Sequence, residues 1–369
     1  MAPGSNQPAR RRWRIVAILA GGAVALWLVA WLVVAVILPE AKGAECTGIQ
    51  FRSGEPGAQA PSGPRPPIGG TGGIAGKLRS ALRGDQPAIY CDDFADPFVL
   101  RVGDDYYAYS TNTGSERIPV LTSKGLFGTA RRTEALANLP AWSAPGTVWA
   151  PSVLARPGSY VLYYATALAE DPERQCLSRA TSTEPDGPFV DDSAGPLVCP
   201  PGGGAIDASP FVDVDGRAYL LWKSYGGVDG IVAQELTPDG LGLVGPVPVL
   251  LGADQGWEAG LIEAPSMLAR DGRYYLFYSA NDWNTANYAI GFAVCDSPTG
   301  PCARPTDGPW LASTDQAQGP GGGEVFSDDQ GQPWLVLHAW VRGKVGYPNG
   351  ARNLFVVRLD FVNGVPVPA

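Results

Sequence analysis

The chain has 369 residues, is 45% hydrophobic and carries 27 basic against 36 acidic side chains, which gives a formal net charge of −9. Several of the basic side chains cluster near the N-terminus, so the remainder of the chain is still more acidic. An acidic surface lacks the electrostatic attraction on which nucleic-acid binding depends, and it repels anionic polymers. The composition therefore excludes a nucleic-acid partner and favours a neutral one.

The N-terminal segment predicts a membrane anchor. Residues 1–14 form a short basic tail, and residues 15–38 form an apolar run without a charged side chain. A run of this length spans a bilayer core of roughly 30 Å, and it exceeds the apolar stretch of about 7–15 residues in a cleavable signal peptide. We expect a single-pass protein of the cell membrane, with the basic tail in the cytoplasm and the remainder outside. Cleavage after Ala44, which would secrete the protein, is the alternative.

Residues 39–87 predict a flexible stalk. They are rich in proline, glycine and serine, as in the stretch SGEPGAQAPSGPRPPIGGTGG. Such a composition gives a flexible or partly extended linker rather than a packed core. The folded domain is therefore expected at residues 88–369.

A hairpin-like motif recurs five times within residues 88–369. Its copies read DPFVLRVGDDYYAYS, PSVLARPGSYVLYYA, PFVDVDGRAYLLW, PSMLARDGRYYLFYS and VFSDDQGQPWLVLHAW. Each copy has an apolar strand, a turn with a glycine and an aromatic-rich strand, which is typical of a β-hairpin. The turn glycines are Gly103, Gly158, Gly216, Gly272 and Gly331. Their spacing, close to 57 residues, is typical of propeller blades with about four strands each. The sequence predicts an all-β domain, a five-bladed β-propeller.

Three acidic residues stand just before the first strand of a repeat. They are Asp96 in FADPFV, Asp207 in AIDASP and Glu263 in IEAPSM. A single aspartate before a proline is usually a turn residue. In a propeller, however, the starts of the inner strands all face the central channel at the same end. We therefore expect the three carboxyl groups to converge on one pocket.

Clustered carboxyl groups that face a neutral ligand suit glycoside hydrolysis. One carboxylic acid protonates the leaving oxygen while a carboxylate activates water on the opposite face, and in an inverting enzyme the two stand about 6.5–9.5 Å apart. A third acid near the proton donor raises the donor's pKa by like-charge repulsion. The three predicted acids meet this requirement in number and type.

Aromatic side chains near the repeat starts are candidates for sugar binding. Trp149 and Trp257 flank these starts, and we expect them to form apolar platforms in the pocket. We expect most other tryptophans to be buried between blades. His338, the only histidine, lies in the last hairpin and is expected to be a buried core residue.

All six cysteines follow the apolar run. An even number of cysteines in an oxidising compartment indicates disulfides. We expect Cys46–Cys91, Cys176–Cys199 and Cys295–Cys302, because the members of each pair are near in sequence. A metal site is the weaker alternative, since no C-x-x-C spacing occurs and there is one histidine. We expect no required cofactor, and nothing in the sequence supports a structural calcium ion.

From Tyr90 to the C-terminus these motifs resemble glycoside hydrolase family 43, which has five-bladed propellers. The resemblance implies that Asp96 is the general base, Glu263 the general acid and Asp207 the residue that modulates the acid's pKa. It further implies inverting hydrolysis of arabinofuranosyl or xylosyl linkages. Three motifs in the same order, one per blade, are together specific, whereas each alone would be weak.

Two further positions bear on the resemblance. Arg352 resembles an arginine that the family places near the base, and we expect it to bind substrate. Members of the family often have Gly-Pro-Gly-His before the last blade, where this chain has Gly319-Pro320-Gly321-Gly322. The missing imidazole argues against a metal or water site built on that histidine, and it suggests an altered substrate.

Several activities fit these observations. The first expectation is an α-L-arabinofuranosidase, with β-xylosidase, arabinanase and galactofuranosidase as alternatives, because specificity depends on the loops around a pocket. A non-catalytic carbohydrate-binding propeller is an alternative of another class, and the three intact acids argue against it. A related propeller clan acts on fructosides with retention, and the Arg-Asp-Pro segment usual there is absent here. In each case we expect a monomer whose partner is a neutral polysaccharide or oligosaccharide.

Overall fold

The computed structural model describes residues 88–114, 116–128 and 130–369. Within them the prediction of an all-β, five-bladed propeller is confirmed. The predicted tail, membrane span and stalk lie outside the described residues. Among those described, no helix has the length and apolarity needed to cross a bilayer.

The described residues form twenty strands in five antiparallel sheets, one per blade. The first blade contains β1 (Phe98–Val102), β2 (Asp105–Tyr109), β3 (Pro119–Lys124) and β4 (Ala130–Glu134). The second contains β5 (Ser143–Arg156), β6 (Ser159–Leu168) and β7 (Gln175–Ser182). The third contains β8 (Gly204–Val212), β9 (Ala218–Tyr225), β10 (Gly230–Leu236), β11 (Leu243–Val244) and β12 (Val249–Leu251).

The last two blades follow a short helical turn. That turn is a 3₁₀ helix at Gly256–Glu258. The fourth blade contains β13 (Ile262–Arg270), β14 (Arg273–Ala280), β15 (Ala289–Cys295) and β16 (Cys302–Ala303). The fifth contains β17 (Ala317–Ser327), β18 (Pro333–Val341), β19 (Arg352–Val362) and β20 (Val365–Pro368).

The five predicted hairpins join the first two strands of each blade. In the first blade, Val102 pairs with Asp105 across a turn in which Gly103 has φ 61°. All five predicted turn glycines have positive φ, a region that glycine enters without steric cost. The glycine spacing in the sequence therefore reports the blade spacing of the fold.

The second blade departs from the predicted four strands. After β7, the chain makes only isolated bridges to it, through Val190 and Val198. Prolines punctuate this segment at 185, 188 and 196. A proline lacks the backbone N–H that a ladder needs, which explains why no regular fourth strand forms there.

The ring closes between the last blade and the start of the described chain. The inner strands β1, β5, β8, β13 and β17 contact one another in cyclic order. The backbone N–H of Ile89 donates to the carbonyl of Leu354 at 2.8 Å, and that of Phe94 donates to the carbonyl of Arg352 at 2.8 Å. The segment before β1 thus pairs with the first residues of β19 and joins the fifth blade to the first.

The core consists of five apolar clusters, one in each interface between neighbouring blades. The cluster between the first and last blades contains Phe94, Val99 and Phe326. Each large apolar side chain that is fully buried contributes about 1.5–3 kcal/mol relative to exposure. Packing between blades therefore holds the ring together.

Two of the predicted disulfides are confirmed. Cys176 is bonded to Cys199 and Cys295 to Cys302. Cys91 is also disulfide-bonded, and Cys46, its predicted partner, lies outside the described residues.

Candidate active site

In every blade, one residue in the left-handed backbone region marks a bend in the inner strand or just before it. These residues are Asp96, Ala150, Asp207, Ala264 and Gly322, with φ between 44° and 57°. For a residue other than glycine this conformation stores of order 1–3 kcal/mol, and such strain clusters at functional sites. All five residues line a small cavity on the propeller axis. The bends therefore form a ring around the channel.

Two of the three predicted acids lie at the bend itself, and the third does not. Asp96 and Asp207 occupy equivalent positions, whereas Glu263 precedes the bend residue Ala264 by one. All three acids stand at the start of a repeat, as the sequence indicates, but Glu263 is displaced by one residue relative to the two aspartates. Its offset points the longer glutamate side chain to the same region from a neighbouring position of the strand.

The structure brings the three acids to one cavity of about 390 Å³. Its lining also includes Trp149 and Arg352, as well as residues that the sequence did not single out: Asp93, Thr111, Asn112, Thr113, Gly114, Ile206, Trp283 and Tyr347. The volume lies within the range of small-molecule sites. Residues far apart in the chain thus share one concave site.

The surroundings of Asp96 stabilise its ionised form. Burial acts to raise the pKa of Asp96, but the Arg352 guanidinium and the Thr111 hydroxyl favour the carboxylate and hold the pKa below its ordinary value. The Nη1 atom of Arg352 lies 3.4 Å from both carboxylate oxygens, and the Thr111 hydroxyl donates to Oδ2 at 2.7 Å. Asp96 is therefore an anion at neutral pH.

The surroundings of Asp207 and Glu263 instead favour the protonated form. Burial and the negative charges of Glu263 and Asp96 raise the pKa of Asp207 well above its ordinary value. Burial also raises the pKa of Glu263 to about 7, although the Tyr288 hydroxyl, which donates to Oε1 at 2.8 Å, acts to lower it. Interacting carboxyls titrate as a unit, so this pair retains a proton near neutrality.

Arg352 is held in place by a cluster at the cavity rim. Its backbone N–H donates to Asp93 at 2.9 Å, and the Tyr347 hydroxyl donates to both oxygens of the same carboxylate. Its guanidinium lies 4.7 Å from the ring centre of Trp283, which is a cation–π geometry. Arg352 therefore has little freedom to move away from Asp96.

The two predicted tryptophans have different outcomes. Trp149 lines the cavity and is 36% exposed. Trp257 does not line it, and its prediction as a pocket residue is wrong. Its indole packs on Tyr278, and its Nε1–H donates to Gln255 within the 3₁₀ turn. Trp283, 37% exposed, supplies the second aromatic surface instead.

His338 is buried, as expected, but it also contacts the site. Its Nδ1 accepts the backbone N–H of Asp96 at 3.0 Å, and burial lowers the pKa of His338 to about 3. Because Nδ1 uses its lone pair for this bond, the ring is neutral and its proton is on Nε2. The Nδ1 atom also lies 3.4 Å from Oδ1 of Asp96. Because the ring is neutral, this contact is not an ion pair.

A fourth carboxyl group lines the neighbouring axial cavity. Glu324 accepts a hydrogen bond from the Ser209 hydroxyl at 2.7 Å, and burial raises the pKa of Glu324 to about 8. It lines the small axial cavity but not the larger one. Among the described residues, no group of three or more histidine, cysteine, aspartate or glutamate side chains is arranged to hold a metal ion.

An axial cavity that combines an ionised carboxylate with a carboxyl pair that retains a proton has the two groups that glycoside hydrolysis requires. The family model described as "Glycosyl hydrolases family 43" matches residues 87–366. The chain belongs to this family, and it is a glycosidase.

Individual relatives agree with this assignment. The chain is 29% identical over 262 residues to beta-D-galactofuranosidase xynD of Aspergillus niger, covering 66% of this chain and 73% of that protein. It is 29% identical over 219 residues to an extracellular exo-alpha-(1->5)-L-arabinofuranosidase of Streptomyces chartreusis, covering 55% and 64%. It superimposes on a thermostable family-43 glycoside hydrolase with a TM-score of 0.67 and 27% identity, covering 75% and 92%.

The protonation state of the acid pair can be measured directly. We expect a carboxyl group of the Asp207–Glu263 pair to lose its proton with a pKa of about 7. Infrared difference spectra during a pH titration would show the carbonyl stretch of the protonated carboxyl disappearing in that range. The signal should change in Glu263→Gln, while the separate signal of Glu324 persists. Titration of the pair entirely in the acidic range of ordinary carboxyls would contradict this assignment.

Proposed function

We propose that the protein is an inverting hydrolase of furanosyl linkages, of the α-L-arabinofuranosidase type, in which Asp96 is the general base and Glu263 the general acid. The observation that carries this proposal is the contrast between two carboxyl groups in one cavity. Asp96 is ionised beside Arg352, while Glu263 has a raised pKa. Inverting hydrolysis needs one carboxyl group in each state.

The geometry supports a single displacement. Asp96 accepts a proton from a water molecule, whose oxygen then forms a bond to the anomeric carbon. Glu263 donates its proton to the glycosidic oxygen as the bond from that oxygen to the anomeric carbon breaks. Asp207, held by the backbone N–H of Ala264 at 2.9 Å, raises the proton affinity of the acid pair. After one turnover the protonation states of Asp96 and Glu263 are exchanged, and solvent restores them.

The cavity wall supports a neutral sugar as the substrate. Trp149 and Trp283 present partly exposed indoles, which suit the apolar faces of a sugar ring. Arg352 lies between the base and Trp283, where its donors can reach a sugar hydroxyl. The likeness to an exo-acting arabinofuranosidase supports an arabinofuranosyl group as the sugar that is released. All of the cavity residues belong to one chain, which supports a monomeric enzyme.

A second candidate is a β-D-galactofuranosidase. It is favoured by the likeness to the Aspergillus enzyme of that name, which extends over 73% of that protein. Both candidates place a five-membered ring between the same acid and base. Their rings have the same configuration from C1 to C4, leaving group included, and they differ in the exocyclic group, which in galactofuranose has one more carbon for the cavity to accommodate.

The catalytic assignment is tested by the turnover of matched variants. We expect the protein to hydrolyse an aryl α-L-arabinofuranoside or β-D-galactofuranoside faster than an aryl β-D-xylopyranoside. Asp96→Asn and Glu263→Gln should each lower kcat by about 10³-fold, since each removes one proton-transfer group. Glu235→Gln, on β10 and outside the cavity, is the control and should retain wild-type rates. Undiminished turnover by a folded Glu263→Gln protein would refute its role as the acid.

We also propose that residues 15–38 anchor the enzyme in the membrane, with the propeller outside the cytoplasm. The apolar run and the preceding arginines support this. In cells that express the whole chain, the protein should sediment with membranes and resist extraction by alkaline carbonate. A chain that begins at residue 45 should be soluble under the same conditions. Recovery of the whole chain in the soluble fraction would contradict the proposal.

A further inference from the structure

Two stacked rings contact the acid and the base. Tyr288, just before β15, and His338, on β18, are both fully buried. Their ring centres are 5.9 Å apart, and their planes differ by 10°. Neither residue lines the cavity, so neither contacts a substrate directly.

Each ring holds one of the two catalytic residues. The Tyr288 hydroxyl donates to Oε1 of Glu263 at 2.8 Å. The Nδ1 atom of His338 accepts the backbone N–H of Asp96 at 3.0 Å. The acid and the base, which belong to different blades, are therefore connected through one pair of stacked rings.

The last blade makes room for this pair. A Cβ atom at Gly321 would lie 1.9 Å from Cε1 of Tyr288. A Cβ atom at Gly322 would lie 2.6 Å from His338 and 2.7 Å from the Asp96 carboxylate. These approaches are far inside van der Waals contact, and the two rings that would have to move are themselves fully buried and closely packed. The fifth blade thus has glycines, rather than an acid, at its bend because the rings occupy that space.

We propose that Tyr288 and His338 are positioning residues that set the placement of the acid Glu263 relative to the base Asp96. This inference rests on the proposed roles of those two residues. Tyr288 fixes the carboxyl group of the acid by a neutral hydrogen bond. His338 fixes the backbone of the base at its strained bend, where φ is 48°. A displacement of about 1 Å between reacting groups can cost 10²-fold in rate, so such support affects turnover more than binding.

The role of Tyr288 is tested by the pH profile of Tyr288→Phe, which keeps the ring and removes the hydroxyl. The hydrogen bond favours ionised Glu263, so its loss raises the pKa of the acid and moves the alkaline limb of the kcat/KM profile to higher pH. The charged or titratable groups that face Glu263 are Tyr288, Asp96, Asp207, Lys223 and Arg352. All but Tyr288 are unchanged in this variant.

Tyr278→Phe is the matched control. Tyr278 belongs to the same blade, is equally buried and donates to Glu258, also at 2.8 Å, but that carboxylate lies outside the cavity. The control variant should lose thermal stability without moving the alkaline limb. A Tyr288→Phe enzyme with the wild-type profile would overturn the role of Tyr288, and so would an equal shift in the control.

The role of His338 is tested by two substitutions. Asn places an amide oxygen near the position of Nδ1 and can accept the Asp96 N–H, whereas Leu cannot. His338→Leu should lower kcat by about tenfold or more with KM changed less than about twofold, because the base is displaced while the binding surface is intact. His338→Asn should recover most of kcat. Equal kcat in the two variants, at equal thermal midpoints, would overturn the proposal.

Failure of this inference differs from failure of the proposed function. If Glu263→Gln and Asp96→Asn are inactive but the Tyr288 and His338 variants behave as wild type, the positioning role fails and the catalytic assignment stands. If Glu263→Gln retains turnover, the catalytic assignment fails, and the positioning role falls with it.

Discussion

Closure of the propeller ring is the constraint on which the rest of the site depends. The backbone bond from Phe94 to Arg352 joins the start of the first blade to the last one. The same contact brings the Arg352 guanidinium to 3.4 Å from Asp96. A buried carboxylate is costly unless it is paired and hydrogen-bonded, so a base at this position requires that cation. Arg352 thus takes part in both contacts: its backbone carbonyl helps to close the ring, and its guanidinium keeps Asp96 ionised.

The opposite state of the acid follows from a different environment in the same cavity. Glu263 is buried and shares its surroundings with two other carboxyl groups, and the hydrogen bond from the Tyr288 hydroxyl only partly opposes the resulting rise in its pKa. Burial and like charge therefore act together on the acid pair, while the cation acts mainly on Asp96. The strained bends at Asp96 and Ala264 keep these environments fixed, and the apolar interfaces between blades offset their cost. Because the fold places Arg352 beside Asp96 rather than beside Glu263, the base is ionised while the acid keeps its proton.

Much of this arrangement is predictable from the sequence, for identifiable reasons. The hairpin repeat, its turn glycines and the near-sequence disulfides are local signals, and the acids stand out because they recur before equivalent strands. The tertiary partners carry no such signal. Trp257 and Trp283 both follow a strand, but Trp257 packs on Tyr278 while Trp283 lines the cavity. The stacking of Tyr288 on His338 joins two blades, so no local pattern reveals it. Gly321 and Gly322 stand out in the sequence as a departure from the family motif. The steric reason for them, contact with Tyr288 and His338, is visible only in the folded structure.

The central claim is that one carboxyl group activates water while another protonates the leaving group across the same sugar. The most direct measurement is the anomeric configuration of the first-formed sugar, followed by proton NMR before mutarotation equilibrates it. This account predicts that the configuration is inverted relative to the substrate, because water attacks from the face opposite the leaving group. A product with retained configuration would require a carboxylate nucleophile and a covalent intermediate, and it would contradict the assignment of Asp96 as a base.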